Sequence, residues 1–378
     1  MTMLMVIAVL AAQAAPPSPA PPRARDLGIP FDFGRPGPHN AITDVPGVEV
    51  GCATLVEGED VRTGVTAIHP RGREHPADPC AAATHSLNGN GEMTGIAWIA
   101  ESGTVSMPVT ITNTHAVGVT HRATIDWAVT RFPDLGELWL LPVAAETYDG
   151  YLNDINGGHV TEQVVRSALD GARPGPVELG SAGGGTGMNC YGYKGGNGSA
   201  SRVVEAPGGP YTVGVFLQCN FGSRHELRIA GVPLGATLAD DDPLGEWEPA
   251  VPGAGSVIGV VITDAPLLSQ QCAALARRVP LGLARTGTSG SHYSGDLFLA
   301  LSTANPGVFL TQGAAASLRF LPWSEVDALH EAVVRATEEA VVDALVVNRE
   351  MTGRVGHRSP ALPVDRVLEE LRSRNVVG

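Results

Sequence analysis

The sequence predicts a layered α+β fold, on two observations. The chain has 378 residues, 43% of them hydrophobic, enough to bury a sizeable core in one large domain or two ordinary ones. Segments of strand character stand in runs, not in the strict strand–helix alternation of a doubly wound parallel sheet.

Taken in order, turn signals at Pro36–Asn40 and Pro46–Gly47 lead into a strand expected over Val48–Leu55, with Thr66–His69 as its partner. Thr94–Glu101 and Pro108–Thr112 read as further strands. Val117–Arg131 places Val119, Ala123, Trp127 and Ala128 at helical spacing. Leu138–Ala144 reads as a buried strand, and Thr161–Asp170 as an amphipathic helix with Val164, Val165, Ala168 and Leu169 on one side. Thr212–Asn220 and Glu226–Ala230 read as strands, and Asp240–Gly255 as an acidic loop rich in Pro and Gly. Val257–Ile262 has the length and β-branched content of a buried strand. Pro266 should open a helix running to about Arg278 with Asp264 as its cap. Asp296–Thr303 reads as a strand. Ser324–Asp327 reads as a capping box at the head of the longest helix, which ends near Asn348, and Val364–Arg372 as a short last helix.

Composition removes several function classes. A formal charge of −14 with no run of Lys or Arg argues against nucleic acid as a partner, since phosphate neutralisation needs a basic face. Five widely spaced cysteines with no C-x-x-C pair support neither a zinc site nor a disulfide framework. The apolar run Met1–Ala14 ends in Ala12-Gln-Ala14 like a secretory signal with its small-residue cleavage site, although it carries no Lys or Arg. It is too short to span a bilayer. Export to the periplasm or medium is therefore expected, with a cytoplasmic protein as the alternative should the start be mis-assigned. A Pro-rich, disordered lead-in is expected over residues 15–25.

The residues with chemistry gather at a junction. Gly255-Ser256 joins the Pro/Gly-rich loop to the buried strand. By itself a Gly-Ser pair before a strand is an ordinary turn. It is also where a hydroxyl can attack the preceding carbonyl, because glycine tolerates strained backbone. An N→O acyl shift and hydrolysis would leave Ser256 as a new N-terminus whose α-amine, ordinarily of pKa about 7.7–8.0, lies beside its hydroxyl. Ser294 and Asp296 are two apart, so on an extended segment they point the same way and can relay a proton. In the glycine cluster at 183–187, Gly187 and Gly192 have the four-residue gap of a P-loop, but Tyr193 stands where the lysine belongs and Lys194 comes one place late. Their better use is close approach of backbone to a substrate or to another chain segment. Neither G-x-S-x-G nor H-E-x-x-H occurs. His85, His115 and His159 have no metal-ligand spacing and read as structural.

Together these segments are recognisable. Glu146–Asn156, Gly183–Met188, Lys194-Gly-Gly, Asn220-Phe-Gly222, Gly255-Ser256 with Ile262–Leu267, and Ala284-Arg-Thr-Gly with Ser294-Gly-Asp296 resemble the β-peptidyl aminopeptidase family of DmpA-type L-aminopeptidase/D-esterases. Ser86–Gly91 and Thr112–His115 fit as well, and the match runs in order from about Arg25 to the C-terminus.

The resemblance implies an αββα sandwich like that of the N-terminal-nucleophile hydrolases and of ornithine acetyltransferase. It implies self-cleavage into an α chain (26–255) and a β chain (256–378) that stay together, with a tendency toward tetramers of αβ units. Ser256 matches the nucleophile, and Ser294 with Asp296 the pair that activates it. Asn220 matches the oxyanion donor, Tyr148 a tyrosine near the reacting carbonyl, and Glu146 the carboxylate that receives the substrate's free amine. The substrates would be short peptides, amino-acid amides or esters, with no cofactor, metal, membrane or nucleic acid. Two readings compete: an acyltransferase of the ornithine acetyltransferase type, whose nucleophile is threonine, and an uncut peptide-binding protein.

Overall fold

The computed structural model describes residues 21–247 and 255–378. The expected leader, most of the expected lead-in and loop residues 248–254 lie outside them. Arg23 and Arg25, at the end of that lead-in, are anchored. Arg23 pairs with Asp343 at 2.5 Å and Arg25 with Glu339 at 2.6 Å.

Two sheets form the centre. One has four strands in the order β1 (Glu49–Glu57), β2 (Val61–His69), β5 (Val109–Asn113) and β6 (Val143–Thr147). The other has six, ordered β4 (Thr104–Val105), β3 (Cys80–Gly89), β14 (Ser294–Ser302), β13 (Gly255–Thr263), β10 (Gly209–Asn220) and β9 (Gly196–Ala206). Three two-residue ladders decorate the loops: β7 (Asn189–Cys190) with β8 (Tyr193–Lys194), β11 (Arg228–Ile229) with β12 (Val232–Pro233), and β15 (Met351–Thr352) with β16 (Arg358–Ser359). The helices are α1 (Ile96–Ser102), α2 (Val117–Arg131), α3 (Glu162–Gly171), α4 (Ser269–Ala276), α5 (Val279–Arg285), α6 (Asp327–Val346) and α7 (Val364–Ser373).

Three apolar seams make this a four-layer sandwich. Val65 and Ala67 of β2 pack on Trp127 of α2 and Leu169 of α3. Ile68, Ile111 and Val143 of the smaller sheet meet Phe216, Ile258, Val260 and Leu299 of the larger one. Val257, Val261 and Phe298 face Leu275, Leu283, Val333 and Leu345 of helices α4 to α6. Alternate residues of β13 thus enter two different cores, which is why its sequence is a continuous apolar run without a polar face. Close approach of α6 to β9 depends on Gly198, where an added Cβ would lie 1.9 Å from the Ala340 carbonyl oxygen.

The strand–helix layering, both longer helices, α3, β1, β2, β5, β10, β13 and β14 lie where the sequence puts them. Four expectations are corrected. Residues 96–102 form a helix, not a strand, because Gly95 and Gly103 take left-handed angles (φ 80° and 68°) and turn the chain at both ends. The strand expected over 138–144 begins only at Val143; Leu138, Trp139 and Leu141 are exposed. Asp264 accepts from the Thr212 N–H at 2.7 Å and caps nothing, so α4 starts at Ser269 behind Leu268. No side chain caps α6. β3 and the long β9 were not foreseen.

Candidate active site

The larger sheet brings Ser256, Asn220, Ser294 and Asp296 together. Ser256 is the second residue of β13 and pairs across the antiparallel ladder with Asn220, the last residue of β10. On its other side the parallel ladder sets Gly255 against Ser294, Ser256 against Gly295 and Val257 against Asp296. The Ser256 side chain belongs to the face that meets the smaller sheet, where β6 ends in Thr147 and delivers Tyr148.

Ser256 is only 2% exposed. Its Oγ accepts from the Tyr148 backbone N–H at 3.3 Å and faces Asn220 Nδ2 at 3.4 Å. Asn220 cannot swivel, because Nδ2 also donates to the Tyr148 carbonyl at 2.9 Å and Oδ1 accepts from the Asn189 N–H at 2.9 Å. Two convergent donors beside a nucleophilic oxygen are what a developing oxyanion needs.

Ser294 donates its hydroxyl proton to Asp296 Oδ1 at 2.5 Å, and Asn88 Nδ2 donates to Asp296 Oδ2 at 3.0 Å. Burial raises the Asp296 carboxyl above its usual range, against the pull of the Ser294, Asn88 and Val257 bonds. Such a carboxylate takes a proton more readily than a solvated one.

Glu146 is set behind these residues. It sits on β6, 2% exposed, with Oε1 accepting from the Glu92 N–H at 2.9 Å and Oε2 bonded to the Thr114 hydroxyl. Burial raises its carboxyl too. Its Oε1 lies 3.2 Å from where a Cβ on Gly91 would stand, and that same Cβ would be 3.1 Å from Gly295 Cα. It therefore borders the back of the Ser256–Gly295 pair and does not line the open cavity.

That cavity, of about 400 Å³, opens over Gly255 and Ser294 and is lined by Tyr148, Asn220, Phe221, Glu226 and Trp247 among others. Its size falls in the range of small-ligand sites. The Glu226 carboxyl is pushed up by burial but held below its usual range overall by N–H bonds from Ser223 and Ser289 and the Ser289 hydroxyl, so it presents negative charge. Sequence reasoning missed Asn88, Asn189, Glu226 and Trp247. Only Asn88 had a signal, as part of the Ser86–Gly91 segment.

The glycines at 183–187 do not line this cavity. They pack against other chain segments: a Cβ on Gly184 would meet Gln218 Oε1 at 2.2 Å, and one on Gly187 the Arg62 carbonyl at 2.2 Å. His115 Nδ1 lies 2.9 Å from Asn156 Oδ1, and His85 stacks on Phe298. Among the described residues no three His, Cys, Asp or Glu side chains group as a metal site, all five cysteines are free thiols, and no helix is long and apolar enough to cross a membrane.

An αββα sandwich with a serine at the head of a central strand, facing an amide and a backbone N–H, defines a hydrolase of the N-terminal-nucleophile type. The comparisons then specify it, since the model of peptidase family S58 matches residues 40–359 and the chain belongs to that family. It is 47% identical over 365 residues to the β-peptidyl aminopeptidase BapA of Sphingosinicella microcystinivorans, covering 90% of each chain. Among solved structures it resembles the L-aminopeptidase D-Ala-esterase/amidase of Ochrobactrum anthropi, a prototype of the serine aminopeptidases and a variant of the Ntn hydrolase fold. That similarity has a TM-score of 0.89 at 44% identity and covers 94% of this chain and 100% of that one. A β-aminopeptidase from Burkholderia sp. matches with TM-score 0.84 at 44% identity, over 93% and 98% of the two chains. The chain is accordingly a serine aminopeptidase.

Proposed function

We propose that this aminopeptidase matures by cutting its own Gly255–Ser256 bond and then works through the freed Ser256. In the first stage Ser256 Oγ attacks the Gly255 carbonyl carbon and the C–N bond breaks. The nitrogen leaves with a proton as the α-amine of residue 256, and water hydrolyses the ester to free the Gly255 carboxylate. Residues 26–255 and 256–378 become the α and β chains of one catalytic domain.

In turnover Ser256 Oγ attacks the first peptide, amide or ester carbonyl of a substrate. Its proton passes to its own α-amine or to the Ser294–Asp296 pair. The oxyanion is taken by Asn220 Nδ2 and the Tyr148 N–H, the shortened peptide leaves, and water releases the N-terminal residue. The observation that carries this reading is the buried Ser256 hydroxyl at 3.3–3.4 Å from those two donors. Release of β-amino, D- or ordinary L-residues is proposed on the names of the relatives. Glu146 is the proposed holder of the substrate ammonium; reaching it requires substrate to displace Thr114 or Glu92 from its carboxylate.

The proposed assembly is a tetramer of αβ units. It rests on the family resemblance; Trp139, Trp98, Phe320 and Trp323, exposed on the described surface, are the side chains to test at its contacts. Residues 1–14 are proposed to direct export.

Intact mass and N-terminal sequencing test the scheme first. Two chains, the second beginning Ser256-Val-Ile-Gly, are expected; one uncut chain in folded protein would overturn it and favour a peptide-binding protein. Release of the N-terminal residue to water, with no faster transfer to an added amine, distinguishes hydrolysis from acyl transfer.

A further inference from the structure

The proposed reaction leaves the buried lysine of the chain's glycine-rich stretch without a task. Lys194, the lysine one place late for a P-loop, is 0% exposed. It stands on β8, whose hairpin with β7 turns through Tyr191 and Gly192 at φ 53° and 70°. A two-residue turn with both central residues left-handed fixes the register, and that register sets Lys194 directly opposite Asn189.

Lys194 Nζ donates to the Met188 carbonyl at 2.6 Å, to the Gly195 carbonyl at 2.9 Å and to the Gly185 carbonyl at 3.5 Å. Three acceptors suit an ammonium, which has three N–H groups and no lone pair. The Met188 carbonyl, which also takes the Gly195 N–H at 2.9 Å, belongs to the same peptide unit as the Asn189 N–H. That N–H donates to Asn220 Oδ1 at 2.9 Å. The Asn220 side chain is again an amide, and its Nδ2 faces Ser256 Oγ at 3.4 Å.

We infer that Lys194 is a positioning residue for acyl transfer: its ammonium, acting through the Met188–Asn189 peptide, holds and polarises the Asn220 amide that stabilises the oxyanion. A positive charge at the oxygen of an amide draws electron density away from its N–H and makes it a better donor, and a second amide in series passes the bias on. The path is buried, so solvent screens it little. Burial pulls the Lys194 ammonium down to about 7, while Cys190 and Asp149, the ionisable groups acting on it, raise it. A buried ammonium is costly, and an apolar side chain would fill the same space at less expense. The inference rests on Asn220 being the oxyanion donor.

A double-mutant cycle on the self-cleaved protein tests it, with kcat and KM for an amino-acid amide read below pH 7, where Lys194 keeps its charge. Lys194→Gln keeps a donor but no charge. Lys194→Met is a second uncharged variant that fills the space without donating, and Lys194→Arg keeps the charge. A variant that folds but cuts itself slowly is read in the same cycle by its self-cleavage rate. Expected are a fall in kcat of about tenfold to a hundredfold, the range typical of groups that orient a site from behind, with KM nearly unchanged, and substantial recovery in Lys194→Arg. In the Asn220→Ala background, Lys194→Gln should then cost little more. An equal cost in both backgrounds, or a loss confined to KM, overturns the inference. An Asn220→Ala protein of full activity instead overturns the oxyanion assignment, and the two failures are distinguishable.

Discussion

The hydroxyl of Ser256 faces only donors on the described residues, the Tyr148 N–H and Asn220 Nδ2. Neither can take its proton, so a base must come from elsewhere. Ser256→Ala removes both attacks at once and is expected to remain one chain on a denaturing gel, without activity; finding it cut at the same bond would end the scheme. Asp296 has its carboxyl raised by burial. As pH falls through that raised value the carboxylate is protonated and Ser294 loses its acceptor, so the acid limb of kcat should lie above the ordinary aspartate range. In Asp296→Asn that limb should disappear with a loss of about a hundredfold in kcat. Asp149 and Lys194 titrate in stability. Burial raises Asp149 from 3.8 to about 7, so its folded form keeps a proton the unfolded form gives up. Its contribution is present below pH 3.8 and is lost as pH rises to 7. Lys194, lowered from 10.5 to about 7 by burial, acts oppositely, with stability gained as pH rises from 7 to 10.5. The Tm of Asp149→Asn relative to the parent should therefore climb between pH 4 and pH 7, and a constant difference would contradict the assignment. At this scale the sequence was informative for Ser256, Asn220, Ser294 and Asp296, whose motifs are contiguous. It was silent on Asn189, whose part is played by a backbone N–H that any residue but proline supplies.

Elements were legible where burial leaves a pattern in the chain. β13 and β14 are buried on both faces and read as apolar runs, and α2 and α3 show helical periodicity. Residues 96–102 misled because their apolar content matches a strand of the same length, and only the flanking left-handed glycines decide for helix. The exposed stretch 138–141 misled in the other direction, since apolar residues on a surface look like core in a sequence. β9 was hidden by Gly196, Gly198, Ser199 and Ser201. Those small residues are what lets α6 lie against it, and the packing yields a prediction. Gly198→Ala puts a Cβ 1.9 Å from the Ala340 oxygen and forces helix and strand apart. A loss of about 1–3 kcal/mol is expected, read as a drop in Tm, whereas alanine at the open Gly118 should leave packing untouched.

For the whole molecule the position of the proposed cut matters more than its chemistry. β13 and β14, from the β chain, lie inside the larger sheet, bounded by β3 and β10 of the α chain, and α6 lies against β9. Cut protein should therefore elute from gel filtration as one species and separate only in denaturant. Two species under native conditions would contradict the layering. The layered class was readable from the order of strands and helices, but the interleaving was not, because nothing local records which strand will neighbour which.

That interleaving would make the proposed maturation a one-way passage. Before the cut, β13 finds its slot as part of a tethered chain, at an effective concentration that short links keep near millimolar. Afterwards the same slot must be found by a separate molecule from dilute solution. Recovery from denaturation becomes second order in protein, and the working life of the mature enzyme depends on how slowly the sheet opens. On the proposed scheme the single chain would serve as its own assembly template, once.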